Sequence, residues 1–233
     1  MRVFPLIVLE GLDAAGKATQ AKRLAKRLDG KVISFPAYNT PTGRILLDHL
    51  KERWKATGMA PGSHRWDTVD STDCPHVGDL DPMVFQCIQT INRYEVLPET
   101  TKTDRPVVFD RYYASSMVYG EASGCNRDWL ESLQAGLPQP HLWILLDIPV
   151  EEGFKRRPER RDRFEAQQDF LHKIRTGYLK LWADRAMDSS AMWHLVDGTG
   201  TPDEVHARVW GKVQLLRARV NLPWCVQFLG AVS

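Results

Sequence analysis

The run Gly11-Leu12-Asp13-Ala14-Ala15-Gly16-Lys17-Ala18-Thr19 has the residue types and spacing to hold a chain of phosphates. Its glycines let the backbone curl so that successive N–H groups point inward at anionic oxygens. Lys17 can reach the outer phosphates and neutralise charge that shifts during transfer. The run follows the apolar segment Val3–Leu9 and precedes Ala21, Leu24, Ala25 and Leu28, which recur at i, i+3, i+4 and i+7. A helix beginning there adds a favourable field for an anion. A plain strand–helix turn is the bland alternative, and it would not need the lysine. Ala18 departs from the pattern, because a Ser or Thr hydroxyl in that place would contact Mg²⁺; Thr19 points elsewhere on the helix. The metal then rests on phosphate oxygens, water and a carboxylate, which Mg²⁺ accepts.

Two further groups of residues carry charge where phosphate chemistry could use it. Asp110-Arg111 closes the apolar run Val107–Asp110, and a guanidinium there offers a planar fork for phosphate oxygens. A structural ion pair is the simpler reading of the same two residues. The stretch from Lys155 to Arg163 is strongly basic. Such a run is usually a solvated face, yet phosphoryl transfer also needs positive groups around the migrating oxygens. His64, Cys74 and His76 match no zinc spacing and read as loop residues.

The elements that must position these residues are legible as short apolar runs alternating with helical patterns, the mark of a parallel α/β sheet. Strands are predicted at Val3–Leu9, Lys31–Phe35, Val107–Asp110, Leu142–Leu146 and Trp193–Val196. Ligands bind outside the carboxyl ends of such strands, where Asp110, Asp147 and Asp197 join the glycine loop. Helices are predicted at Asp81–Pro98 and Asp169–Asp184. The first carries Phe85, Gln89, Asn92 and Arg93 on one face, and the second has Phe170, Ile174, Tyr178 and Leu181 in phase. Ala56–Pro82 reads as a long surface loop, and Leu222–Ser233 as an apolar tail with an open role. With 233 residues the chain fits one domain. A net charge of +2 argues against a nucleic-acid coat, and four scattered cysteines point to a reducing cytoplasm. Neither a signal peptide nor a run long enough to span a membrane is evident.

Taken in order, the motifs resemble the thymidylate kinase family over most of the chain. LIVLEGLDAAGKATQ (Leu6–Gln20) is similar to its first strand and P-loop, and Phe35-Pro36-Ala37-Tyr38 with Thr40 and Gly43 to its FPxY segment. Asn92-Arg93-Tyr94-Glu95 resembles NRxE, and Asp110–Ser116 resembles DRYxxS. Gly136–Pro140 resembles GLPxPD with His141 in place of the final Asp, and Asp162-Arg163-Phe164-Glu165 sits where the family has DRxE.

The resemblance implies a P-loop NTPase fold with a five-stranded parallel sheet, a basic lid over residues 152–166, Mg²⁺ with ATP as donor, and a homodimer. It places Asp13 near the acceptor sugar and Tyr38 and Arg111 at the acceptor phosphate. Asp110 becomes a water-mediated Mg²⁺ partner. Phe35, Phe85, Gln89, Arg93, Ser115 and Tyr119 line the acceptor, with Arg93 at the base O4. Arg156 stacks on the donor adenine. Ala14 occupies a P-loop position that carries a catalytic arginine in some relatives, so that duty passes to lid arginines such as Arg157 or Arg160. Gln89 replaces the family's stacking Phe, which leaves the acceptor base open between thymine and another or modified base. Ala18 keeps a non-catalytic nucleotide binder in view. A kinase for nucleosides or DNA ends would need a carboxylate base, for which Glu10 or Asp110 is available.

Overall fold

The computed structural model describes residues 5–57, 80–101, 103–156, 164–187 and 192–219. In chain order the elements are β1 (Leu6–Gly11), α1 (Lys17–Leu28), β2 (Lys31–Ser34), α2 (Pro41–Thr57), α3 (Pro82–Thr101), β3 (Val107–Asp110), α4 (Tyr113–Ala122), α5 (Arg127–Gln134), β4 (Leu142–Asp147), α6 (Val150–Arg156), α7 (Phe164–Ala186), β5 (Met192–Asp197) and α8 (Pro202–Arg219). The strands form one parallel sheet in the order β2-β3-β1-β4-β5.

Side-chain alternation along the strands sorts the core into two layers. Ile7, Leu9, Val108, Ile144, Leu146 and Val196 face α1 and α8, which present Ala21, Leu24, Ala25 and Leu28, and Val205, Val209, Val213 and Leu216. On the other face, Val8, Phe109, Trp143 and Trp193 lie in register across four strands. They pack with Tyr112, which precedes α4, and with Met117, Val118, Leu130, Ile174, Tyr178 and Leu181 of α4, α5 and α7. Trp143 and Trp193 stack with ring centroids 4.4 Å apart. Burial on both faces explains why the strands read as continuous apolar runs.

The predicted elements are present, with shifted ends. β1 runs on through Glu10 to Gly11, because Gly11 still pairs with Leu146 of β4. Phe35 leaves β2, although its N–H donates to the Asp110 carbonyl at 3.0 Å. α3 continues to Thr101 with Pro98 inside it, and α7 extends beyond the predicted helix at both ends. The predicted 56–82 loop is shorter at its edges, since Ala56 and Thr57 end α2 and Pro82 starts α3. Its centre, including His64, Cys74 and His76, lies outside the described residues. So do residues 157–163, with Arg157 and Arg160, and the tail from residue 220.

Candidate active site

The loop between β1 and α1 is built for an anion. Gly11 has φ 139°, and a Cβ there would sit 2.2 Å from the Leu146 carbonyl oxygen, so the strand can turn only with glycine. Ala14 (φ 65°) and Gly16 (φ 92°) complete the left-handed curl. α1 starts at Lys17 with no side-chain cap among the described residues, and the amide groups of a helix's first turn are suited to an anion. Lys17 is buried (6% exposed) and donates from Nζ to the Leu12 carbonyl at 2.6 Å. Burial, assisted by the positive charge of Arg111, lowers its pKa to about 8; Asp13, Asp110 and Glu10 pull the other way.

Arg111 faces this loop from the end of β3. Its backbone is left-handed (φ 69°) and its N–H donates to Leu9 O at 2.9 Å, which turns the side chain over the β1 end. Nη2 pairs with Asp13. Nη1 reaches Gly11 O at 3.2 Å, Ser115 Oγ at 3.1 Å and the Tyr178 hydroxyl at 3.2 Å. Its guanidinium carbon lies 5.8 Å from the Tyr119 ring centroid. Tyr38 lies close enough to feel the charges of Arg111 and Asp13, and burial pushes its phenol up. Tyr119 is likewise pushed up to about 12 by burial, against the pull of Arg111. Asp13, Lys17, Tyr38, Arg111 and Tyr119 therefore share one site.

Beneath them lies Glu10, fully buried, which the sequence offered only as a possible base. One carboxylate oxygen accepts from the Tyr112 N–H (2.7 Å) and the Ser115 N–H (3.2 Å), capping α4 from a distant strand. The other accepts from Ser115 Oγ (2.7 Å) and the Tyr178 hydroxyl (3.1 Å). Burial raises its pKa, while Arg111, Ser115, Tyr112 and Lys17 oppose that shift. These bonds commit both carboxylate oxygens to structure. Ser115 accordingly belongs to the arginine's surroundings, while its neighbour Ser116 takes a 2.9 Å bond from Arg93.

α3 supplies the other wall. Asn92 accepts from Ala37 N–H at 2.7 Å and donates to Ala37 O, Thr40 Oγ1 and Thr42 Oγ1, pinning the loop that carries Tyr38. Gly43 lets α2 approach that loop, because a Cβ there would sit 2.0 Å from Ala37 O. Phe35 is buried edge-on to Phe109 with centroids 5.1 Å apart, so it seats the loop from the core. Phe85 packs on His49 at 5.0 Å. Arg93 is 2% exposed, and its Nη2 donates to Tyr112 O and Ser116 Oγ. Its Nε and Nη1 are buried and have no hydrogen-bond partner among the described residues. Burial lowers the Arg93 pKa to about 10. One turn earlier, Gln89 is partly exposed and makes no hydrogen bond among the described residues.

Two of the three rim carboxylates have other duties. Asp147 takes two 2.8 Å bonds from Arg175 of α7. Asp197 accepts from the Thr199 N–H and hydroxyl, which lower its pKa. Asp110 remains, 8% exposed, with its charge felt at Lys17. The described residues contain no cluster of three metal-capable side chains. One carboxylate beside a phosphate loop fits Mg²⁺, which uses one or two carboxylates together with phosphates and water. Arg156 bridges the two sides of the loop's far wall, donating to Ala14 O at 3.1 Å and Gly198 O at 3.0 Å. His141 has a structural duty, accepting the Leu6 N–H at Nδ1 (3.0 Å).

Known proteins are similar to this chain in sequence and fold. The thymidylate kinase sequence profile matches residues 80–209. A probable thymidylate kinase of Thermococcus onnurineus is 30% identical, with 86% of this chain and 92% of that protein covered. A thymidylate kinase of Syntrophotalea carbinolica is also 30% identical, with 88% and 92% covered. The solved structure of thymidylate kinase from Candida albicans superposes with a TM-score of 0.70 at 25% identity, covering 93% of this chain and 94% of that one. With a profile match over more than half of the chain and relatives 30% identical over most of their length, the chain belongs to the thymidylate kinase family.

Proposed function

We propose that this chain transfers the γ-phosphoryl group of ATP to thymidylate, giving ADP and thymidine diphosphate. The observation that carries the reading is the placement of two cations on one loop: Lys17, at the start of α1, bonds Leu12 O, while Arg111, just past the end of β3, bonds Gly11 O and Asp13, and the charge of Arg111 is felt at Lys17. One cation serves the donor phosphates and the other the acceptor phosphate. The acceptor oxygen is already anionic, so transfer needs no general base, only alignment and charge neutralisation. Mg²⁺, held by phosphate oxygens, water and Asp110, would neutralise charge on the donor. Arg156 borders the donor side and Arg157 and Arg160 follow it in sequence, so they are assigned to cover the phosphates.

Arg93, with two buried donors to spare, is assigned to the acceptor base, and Gln89 adds an amide beside it. Coupled ADP release across a panel of monophosphates, with Mg²⁺ and ATP, is the test. Thymidylate is expected to turn over fastest. Turnover of none of them would end the proposal. Among the described residues Cys87 and Cys125 are free thiols, which accords with a cytoplasmic enzyme.

The outward side of α3 supports a homodimer. Met83, Val84, Ile91 and Tyr94 are 43–50% exposed and lie on one stripe with Cys87, opposite Gln89 and Arg93. An amphipathic helix does not normally expose that face, and a second copy would cover it. Ile91→Glu is expected to raise the dimer dissociation constant by ~100-fold or more, since a buried lone carboxylate costs several kcal/mol. Light scattering on the eluted peak reads the result. An unchanged dimer mass would place the interface elsewhere.

A further inference from the structure

The Tyr178 hydroxyl meets three site groups at once: Arg111 Nη1 at 3.2 Å, Ser115 Oγ at 2.9 Å and Glu10 Oε2 at 3.1 Å. Its ring is 2% exposed and is fixed in the core beside Ile174 and Leu181. The hydroxyl is therefore held from two directions, by packing and by a buried carboxylate. Arg111 has few other restraints on Nη1: the Gly11 carbonyl and Ser115, which itself leans on Glu10. A guanidinium fork discriminates phosphate only when its plane is fixed. Three residues before Tyr178, and so on the same side of α7, Arg175 clamps Asp147 at the end of β4. α7 thus enters the site at two strand ends and carries a rigid hydroxyl to the arginine.

We propose that Tyr178 is a positioning residue for Arg111, anchored by Glu10, and that it sets how tightly the acceptor's phosphate is held. Glu10 accepts from Tyr178, so the phenolic proton is committed to the carboxylate and the phenolic oxygen faces Arg111 as acceptor. Arg111 Nη1 then has a fixed partner on the protein side. The inference rests on the kinase reading above, and it concerns only the phosphate half of the acceptor.

The test separates phosphate from nucleoside. Tyr178→Phe keeps the ring and removes one oxygen. Titration of the full chain is expected to show thymidylate binding about tenfold weaker, in line with a lost hydrogen bond to a charged group, with thymidine and ATP affinities unchanged. Glu10→Gln, which leaves the ring and the arginine in place, is expected to give the same selective loss. A merely structural role would weaken thymidine and thymidylate alike, and that result, or unchanged thymidylate affinity, overturns the proposal. Failure of the unsubstituted protein to bind thymidylate would overturn the kinase reading and this one with it. Normal binding there with no selective loss in Tyr178→Phe overturns this one alone.

Discussion

Lys17→Ala is expected to lower kcat/KM by about 10³-fold or more without unfolding the protein, because a preorganised charge in a water-poor site is among the largest contributors to phosphoryl transfer. The side chain's hydrogen bond goes to Leu12 O, inside its own loop, so among the described residues its removal breaks a local contact. Folding is expected to gain from the change. Lys17 has a folded pKa of about 8 against an ordinary value of 10.5, so the folded chain disfavours its charge. Between those pH values the unfolded chain binds more protons, and stability rises with pH across that window. Below pH 8 the full cost is present, on the order of 3 kcal/mol. Lys17→Ala should remove that pH slope from thermal melts. ATP affinity in the unsubstituted protein should weaken as pH climbs above 8 and the free lysine loses its proton, while the variant stays flat. Retained turnover in Lys17→Ala would contradict the assignment of the loop.

The second large effect is expected at Arg111. Arg111→Lys should reduce kcat/KM for thymidylate by ~100-fold or more while changing ATP affinity little. The arginine spreads its contacts over two nitrogens, Nη2 to Asp13 and Nη1 to Gly11, Ser115 and Tyr178. A lysine carries the charge as a point and cannot hold Asp13 and the Nη1 partners in that planar fork. The charge is kept and the left-handed backbone is no harder for lysine than for arginine, so the loss would report geometry. Steady-state kinetics with each substrate varied in turn, together with ATP titration, read the outcome. Activity within fivefold of the parent would remove Arg111 from the acceptor phosphate.

The sheet was legible because strands buried on both faces leave continuous apolar runs, as in Val107–Asp110. The end of β1 was missed by two residues because Glu10 is polar, and only the fold shows that its carboxylate is satisfied by α4 and α7. The phosphate loop was legible since its residues are contiguous. Glu10 and Tyr178 were not, being 168 positions apart in sequence, and Tyr178 reads equally well as one more core residue of a periodic helix. The same limit applies to the rim carboxylates. Sequence put Asp110, Asp147 and Asp197 at equivalent strand ends; Arg175, arriving from α7, distinguishes Asp147, and Arg208 of α8, together with the neighbouring Thr199, distinguishes Asp197. Ser115 and Ser116 are adjacent and chemically identical, so the helix orientation alone decides that one joins Arg111 and the other Arg93.

Arg111, Asp13, Glu10, Ser115 and Tyr178 form a single web of contacts around the β1 end, and Gly11 belongs to it through its carbonyl. Energies assigned to these side chains one at a time will not sum. Each deletion releases partners that the next deletion would have removed, so paired substitutions should fall short of the product of the single ones. Lys17 bonds Leu12 O rather than a member of the web, but it feels the charges of Arg111, Asp13 and Glu10, so a double-mutant cycle should show it coupled to them through charge alone.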